Sequence, residues 1–221
     1  KWHLNSQPTG FSHWEILPGQ GNYYNPDFIN KNGIHKETGY VTELITKKSL
    51  QWLNEVKKSG KPFMLMVHHK APHRNWQPGP HELNLYENTT FPEPSTLFDD
   101  YSGRGRAEHE QDMSIDKTMT LEEDLKMYND SNKLKNSALS RMNPGQKRAW
   151  DAFYNPIIDD FYKSGLQGNE LVSWKYQRYL RDYLACIAAV DKSVGEIRQF
   201  LKDNGLDKNT IVVYTSDQGF Y

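Results

Sequence analysis

A basic pair at the first positions of the chain has the geometry to grip an anion. Lys1 and His3 flank Trp2 in the segment Lys1-Trp2-His3-Leu4. Side chains alternate along extended backbone, so Lys1 and His3 would point to the same side. A Lys-x-His pair alone is common on solvated surfaces, so its meaning depends on the polar clusters elsewhere in the chain.

A second polar cluster follows the apolar run 63–67. It places His73 directly after Lys70-Ala71-Pro72, and the proline restricts the backbone just ahead of the imidazole. A histidine so placed can donate to an oxyanion or protonate a leaving alcohol, because an ordinary imidazole titrates near neutral pH. Either role is therefore chemically feasible for His73.

Three other histidines near His73 raise the alternative of a chelating cluster. They are His68, His69 and His81. Among these three no pair has the His-x-x-x-His spacing that would place two imidazoles on one helix face; His69 and His73 have that spacing, but Pro72 lies between them. Packing at a strand end, or support behind the site, is the better interpretation of His68 and His69.

A third cluster ends the apolar, β-branched run 211–215. Asp217 and Gln218 stand there, and carboxylate and amide oxygens suit a hard divalent cation such as calcium. The plainer alternative is that Asp217 caps a turn before Gly219. The presence of the other two clusters favours the metal-binding interpretation.

Four elements must position these clusters. Apolar spacing predicts a helix over 40–59, with Thr42 as its cap, and a long helix over 171–204. The short apolar runs 63–67 and 211–215 favour buried strands. Alternating helices and strands are typical of an open α/β sheet, in which ligands bind beyond the carboxyl ends of the strands.

The middle of the chain has a different character. Residues 76–106 are rich in proline and glycine, and short helices are predicted within 121–128 and 143–161. We interpret residues 1–221 as part of one domain that carries a polar loop and helix excursion at about 76–170.

Bulk properties exclude several classes of partner. The net charge is -1, with basic and acidic residues interspersed, so no global field favours nucleic acid. No apolar run approaches the ~20 residues that a membrane-spanning helix needs. The single cysteine, Cys186, rules out an internal disulfide and leaves the redox compartment open.

The three clusters, in this order, resemble the sulfatase family. The segment KWHL is similar to the family's Lys-x-His element, APH to its strand-end histidine, and SDQG to its Asp-polar metal pair. The resemblance implies an alkaline-phosphatase-like α/β fold: an open mixed, largely parallel sheet flanked by helices, incomplete in this chain. It also implies catalytic roles for Lys1, His3 and His73, and calcium bound through Asp217 and Gln218. Many sulfatases have Asn or His where Gln218 stands.

The longer string from His69 to Trp76 is most similar to the N-acetylglucosamine-6-sulfatase branch. That resemblance implies hydrolysis of a 6-O-sulfate of N-acetylglucosamine in glycosaminoglycan or mucin glycans, with Arg74, Asn75 and Trp76 binding substrate. A loop anchor is the alternative role for Trp76. Asp191 also fits the family pattern, although an ion pair on a helix surface explains it equally.

The family's nucleophile motif is missing from this sequence. Sulfatases carry it in Cys-x-Pro-Ser-Arg or Ser-x-Pro-Ser-Arg, and Cys186 has neither the proline nor the arginine. We therefore expect the chain to be an internal fragment, with formylglycine encoded upstream of Lys1 and further sulfate contacts downstream of Tyr221. We also expect the isolated chain to be inactive, and the full-length protein to be secreted, periplasmic or lysosomal.

Two rival functions stay open on the sequence. A phosphoester or phosphonate hydrolase of the same superfamily would bind a similar tetrahedral oxyanion, but those relatives usually hold two transition metals with several histidine ligands. A non-catalytic glycan-binding relative would keep the fold without the nucleophile.

Overall fold

The computed structural model describes residues 2–4, 6–128 and 137–217. The chain forms two compact units. The first unit comprises Lys1–Arg74 and Cys186–Tyr221, and the second unit comprises Asn75–Ala185.

The first unit contains a short hairpin followed by a helix. Strands β1 (Asp27–Asn30) and β2 (Gly33–Lys36) pair antiparallel, and helix α1 spans Val41–Val56. Gly33 adopts a φ of 113°, which glycine tolerates best. An isolated bridge joins Ile16 to Ile29. The core of this unit is strongly aromatic and includes Leu17, Tyr23, Tyr24, Phe28, Tyr40, Val41 and Leu53.

Helix α1 confirms the predicted helix but not its predicted cap. Tyr40 occupies the N-cap position without a side-chain hydrogen bond, and Thr42 lies inside the first turn, where it is buried. A 3-10 turn over Lys57–Ser59 follows, and Gly60 ends it with a φ of 63°. Burial of the first turn against the core takes the place of a polar cap.

The second long helix confirms the helix predicted from apolar periodicity. Its buried face, however, also includes charged residues. Helix α5 spans Gly168–Asp203, and a 3-10 turn, Asp207–Asn209, follows. Charged side chains stand on the buried stripe, namely Lys175, Arg178 and Asp182. A pattern based on leucine and isoleucine could not place charged residues in the core.

Among its described residues, the second unit holds three other helices: α2 (Arg106–Glu110), α3 (Ser137–Arg141) and α4 (Pro144–Ser164). Asn143 and Gln146 form a reciprocal capping box at the start of α4. This helix confirms the prediction over 143–161. The predicted helix over 121–128 is wrong, because that segment forms turns and Lys126 adopts a φ of 62°.

Both predicted buried strands are corrected by the structure. Within the described residues, the only sheet is the hairpin β1–β2. Along 63–67 the side chains alternate, with Met64 69% and Met66 49% exposed. Ile211 is 91% exposed and Tyr214 75% exposed. These segments are not buried strands here, because a strand requires hydrogen-bonded neighbours that the described residues do not supply.

Candidate active site

The predicted strand-end histidine lies in a tight turn of the first unit. The His73 amide donates a 2.9 Å hydrogen bond to the Lys70 carbonyl across the cis Ala71–Pro72 bond. His73 Nδ1 lies 2.6 Å from the Arg74 carbonyl oxygen. A carbonyl only accepts, so Nδ1 carries a proton in this arrangement. The Nε2 atom can then donate only when the ring is an imidazolium.

Tyr23 supports the turn through a contact with His73 that the sequence did not predict. Its hydroxyl donates a 2.6 Å hydrogen bond to the His73 carbonyl. The Lys70 ammonium lies 4.8 Å from the centre of the same ring, a cation–π distance. Tyr23 also stacks on Tyr40 at 6.1 Å between ring centres. One tyrosine therefore fixes both the backbone of His73 and the side chain of Lys70.

His3 is exposed, and its Nδ1 lies 3.0 Å from the Gln20 amide nitrogen. An amide NH₂ can only donate, so Nδ1 is the acceptor and a neutral His3 carries its proton on Nε2. Trp2 holds this segment through a 2.7 Å bond from its indole nitrogen to the Ser6 carbonyl. Lys1 lies outside the described residues, and its predicted role is untested.

Asp217 follows the exposed segment 211–215 and is itself exposed. Its predicted partner Gln218 lies outside the described residues. Asp191 is exposed on α5, which fits a surface role. Convergence of Lys1, His3, His73 and Asp217 on one site remains a prediction.

The predicted substrate-binding residues divide between the two units. Arg74 ends the chain segment of the first unit and is half-buried. In the second unit, the side-chain amide of Asn75 donates a 3.0 Å hydrogen bond to the Glu123 carbonyl. Trp76 is 2% exposed and packs on Tyr179 and Tyr183 at 4.8 and 6.2 Å between ring centres. This packing favours the anchor role of Trp76, and a sugar contact by its ring stays a prediction.

The histidines beside His73 do not gather as a chelating cluster in the described part of the chain. His68 is exposed, whereas His69 has a buried Nδ1 atom, and burial is the main cause that lowers its pKa to about 4. His69 therefore stays neutral at physiological pH, in accord with its interpretation as a supporting group.

One other group of described residues has the composition of a metal site. Glu15, His35 and Glu37 bring ligand atoms within 4.8 Å of one another. The Lys48 ammonium already lies 2.6 Å from Glu15 and also contacts Glu37. Although burial by itself lowers the pKa of Lys48, its bonds to the two carboxylates raise that pKa above its ordinary value. The lysine supplies the cation that these carboxylates require.

Comparisons with known proteins extend over the whole chain. The family model described as Sulfatase matches residues 1–221. An N-acetylglucosamine-6-O-sulfatase from Bacteroides thetaiotaomicron is 48% identical over 230 residues, covering 100% of this chain and 41% of that protein. An N-acetylglucosamine-6-sulfatase from Capra hircus is 32% identical over 94 residues, covering 40% of this chain and 17% of that protein.

A solved structure gives the same result in three dimensions. The structure of BT4656 in complex with its substrate D-glucosamine-2-N,6-O-disulfate superposes with a TM-score of 0.93 at 48% identity. The match covers 100% of this chain and 46% of that one. The predicted alkaline-phosphatase-like fold class is thereby confirmed. The chain belongs to the sulfatase family and spans less than half the length of these fuller relatives.

Proposed function

We propose that the protein containing this chain hydrolyses sulfate esters, and that its substrate is the 6-O-sulfate of N-acetylglucosamine in glycosaminoglycan or mucin glycans. The observation that carries the proposal is 48% identity, over the whole chain, to a relative named for that activity. The neighbour bound to a 6-O-sulfated glucosamine supports the same substrate class.

His73 is the residue whose local geometry best fits a role in this reaction. Its Nδ1–H is held by the Arg74 carbonyl, so the protonated ring presents a second N–H at Nε2. That N–H can bind a sulfate oxygen or protonate the departing sugar alcohol. Tyr23 and the turn from Lys70 hold the backbone of His73 in place.

The other predicted roles concern the remaining polar clusters. Lys1 and His3 would bind the sulfate and offset the negative charge that grows as the S–O bond breaks. Arg74 and Asn75 would contact the sugar beside it. Trp76 would support this segment from behind rather than stack on the substrate, because its ring is buried.

The family implies calcium and a formylglycine nucleophile. The carboxylate of Asp217 is exposed and has the oxygen ligand chemistry that calcium prefers, so it fits the metal. Asp217 and Gln218 would hold the ion, whose charge would orient sulfate oxygens when bound. Cys186 is buried and lacks the proline and arginine of the nucleophile motif, so the formylglycine would come from sequence outside this chain.

The proposed location rests on the same relatives. None of the helices in the described part of the chain combines the length and the apolar character needed to cross a bilayer. Because the relatives are glycan sulfatases, we propose that the full-length protein is secreted, periplasmic or lysosomal.

The test uses the full-length protein purified with calcium. It should release sulfate from 6-O-sulfated N-acetylglucosamine and should act much more slowly on the matching phosphate ester. Faster turnover of the phosphate ester would establish the phosphohydrolase alternative. Binding of the sulfated sugar without turnover, in protein whose formylglycine has been verified by mass spectrometry, would establish the glycan-binding alternative.

A further inference from the structure

A chain of hydrogen bonds in the first unit links two helices to the residue preceding Lys70. Thr46 Oγ1 lies 2.7 Å from the Thr42 carbonyl oxygen and 2.6 Å from Ser193 Oγ. Ser193 Oγ lies 3.2 Å from His69 Nε2. The path therefore runs from α1 through α5 to the segment that carries Lys70 and His73.

Thr46 Oγ1 lies within donor distance of both the Thr42 carbonyl and Ser193 Oγ, but it has a single proton. One order of donors satisfies all three contacts of the chain: Thr46 donates to the Thr42 carbonyl, Ser193 donates to Thr46, and His69 donates to Ser193. This order places the His69 proton on Nε2.

Burial makes the arrangement specific. Thr46 is 4% exposed and Ser193 is 2% exposed, so water cannot readily replace these bonds. The His69 Nδ1 atom is buried and has no hydrogen-bond partner within the described residues. An unprotonated Nδ1 avoids burying an unpaired N–H and leaves only a lone pair there.

We propose that His69 is a positioning residue. Ser193 accepts a hydrogen bond from the neutral Nε2–H tautomer of His69, and this hydrogen bond, the clamp, fixes the turn that presents Lys70 and His73. The inference rests on the proposed sulfatase function for its consequence in catalysis. Its structural content, the tautomer and the clamp, stands independently of that function.

Two substitutions at position 69 distinguish the effect of the hydrogen bond to Ser193 from the effect of side-chain volume. A glutamine amide reaches about as far as Nε2 and can still donate to Ser193, so His69→Gln should retain the clamp. An asparagine amide lies near the Nδ1 position, so His69→Asn should lose it. Ser193→Ala removes the acceptor directly. Ser49→Ala is the matched control, because Ser49 is a buried hydroxyl on α1 that bonds the Ile45 carbonyl of its own helix.

The experiment combines kinetics with NMR of histidines labelled with nitrogen-15, using the full-length enzyme. We expect the His69 signal, identified by its loss in His69→Gln, to show the Nε2–H tautomer from about pH 5 to about pH 8. Ser193→Ala should disturb the His69 and His73 signals. Ser193→Ala and His69→Asn should lower kcat roughly tenfold with little change in KM. His69→Gln and Ser49→Ala should remain near wild type.

Three results would overturn the proposal: a proton on Nδ1 of His69, unchanged His73 signals in Ser193→Ala, or equal losses of kcat in Ser193→Ala and Ser49→Ala. A wild-type enzyme without sulfatase activity would refute the proposed function instead. In that case the tautomer and the His73 signals still decide whether the clamp exists.

Discussion

The hydroxyl of Tyr23 donates a 2.6 Å hydrogen bond to the backbone carbonyl of His73, 50 positions later in the sequence. The same ring lies beneath the Lys70 ammonium and stacks on Tyr40. The turn that carries the predicted catalytic histidine is therefore braced by a side chain rather than by a strand partner.

The hydrogen bond from Tyr23 to the His73 carbonyl predicts the effect of removing the tyrosine hydroxyl. Tyr23→Phe keeps the ring under Lys70 but leaves the His73 carbonyl without its tyrosine donor. We expect a loss of about 1 kcal/mol in the free energy of unfolding, the usual net worth of such a bond, together with a lower kcat. Tyr162→Phe removes a similar 3.0 Å tyrosine–carbonyl bond to Met127 in the second unit. A comparable loss of kcat in that control would contradict a local role for Tyr23.

Removal of the imidazole itself should have a larger effect. His73→Ala in the full-length enzyme should lower kcat roughly a hundredfold or more, the usual size of a general-acid or oxyanion contribution. Steady-state kinetics on 6-O-sulfated N-acetylglucosamine would measure it. A variant with near wild-type kcat would remove His73 from the mechanism.

Acid should weaken the fold through His69. Burial lowers the pKa of this ring to about 4, against about 6.5 in an unfolded chain. Between these values the unfolded state binds more protons, so stability falls as the pH falls. At about pH 5 the ring accounts for a loss of about 2 kcal/mol.

Urea denaturation at about pH 7 and about pH 5 would test this effect. His69→Gln should reduce the difference in stability between the two pH values by about 2 kcal/mol. His13→Gln is the control, because His13 is exposed and its replacement should leave the difference unchanged. The same pH dependence in His69→Gln as in wild type would refute the assignment.

The buried ionic cluster of the second unit should be sensitive to loss of its carboxylate. Asp182 accepts from Lys126 at 2.8 Å, from Arg178 at 2.6 Å and from Tyr154 at 3.0 Å. Although burial by itself lowers the pKa of Arg178, Asp182 raises that pKa above its ordinary value. Asp182→Asn would leave two buried cations without this negative charge.

We expect Asp182→Asn to cost about 3–5 kcal/mol in the free energy of unfolding. Glu110→Gln offers the contrast, since its 2.8 Å pair with Arg106 is exposed and should contribute less than about 1 kcal/mol. Thermal or urea unfolding of the two variants would compare them. Equal effects would show that the buried cluster relaxes or admits water.

Substitution of Trp76 distinguishes a packing role for its ring from a role in binding the sugar. Its ring is packed on Tyr179 and Tyr183, so Trp76→Ala should lower the free energy of unfolding by about 3–5 kcal/mol. Trp76→Phe should recover part of that loss. A selective rise in KM without loss of stability would instead assign the ring to substrate binding.

The sequence alone determined what local pattern can encode. Helical spacing located α1 and α5 within a few residues, because amphipathic period depends only on neighbouring positions. The short motifs around His3, His73 and Asp217 were sufficient for the family and the fold class, because they are similar to motifs of the sulfatase family.

Tertiary structure alone decided which distant residues act together. The partners Tyr23 and His73, and His69 and Ser193, are separated by 50 and 124 positions, and no periodicity predicts such pairs. Apolar runs predicted buried strands at 63–67 and 211–215, yet burial of a strand depends on neighbours that its own sequence does not specify. In the same way, Lys126 and Asp182 are buried as an ion pair. Charge pairing in a core depends on tertiary packing rather than on local composition.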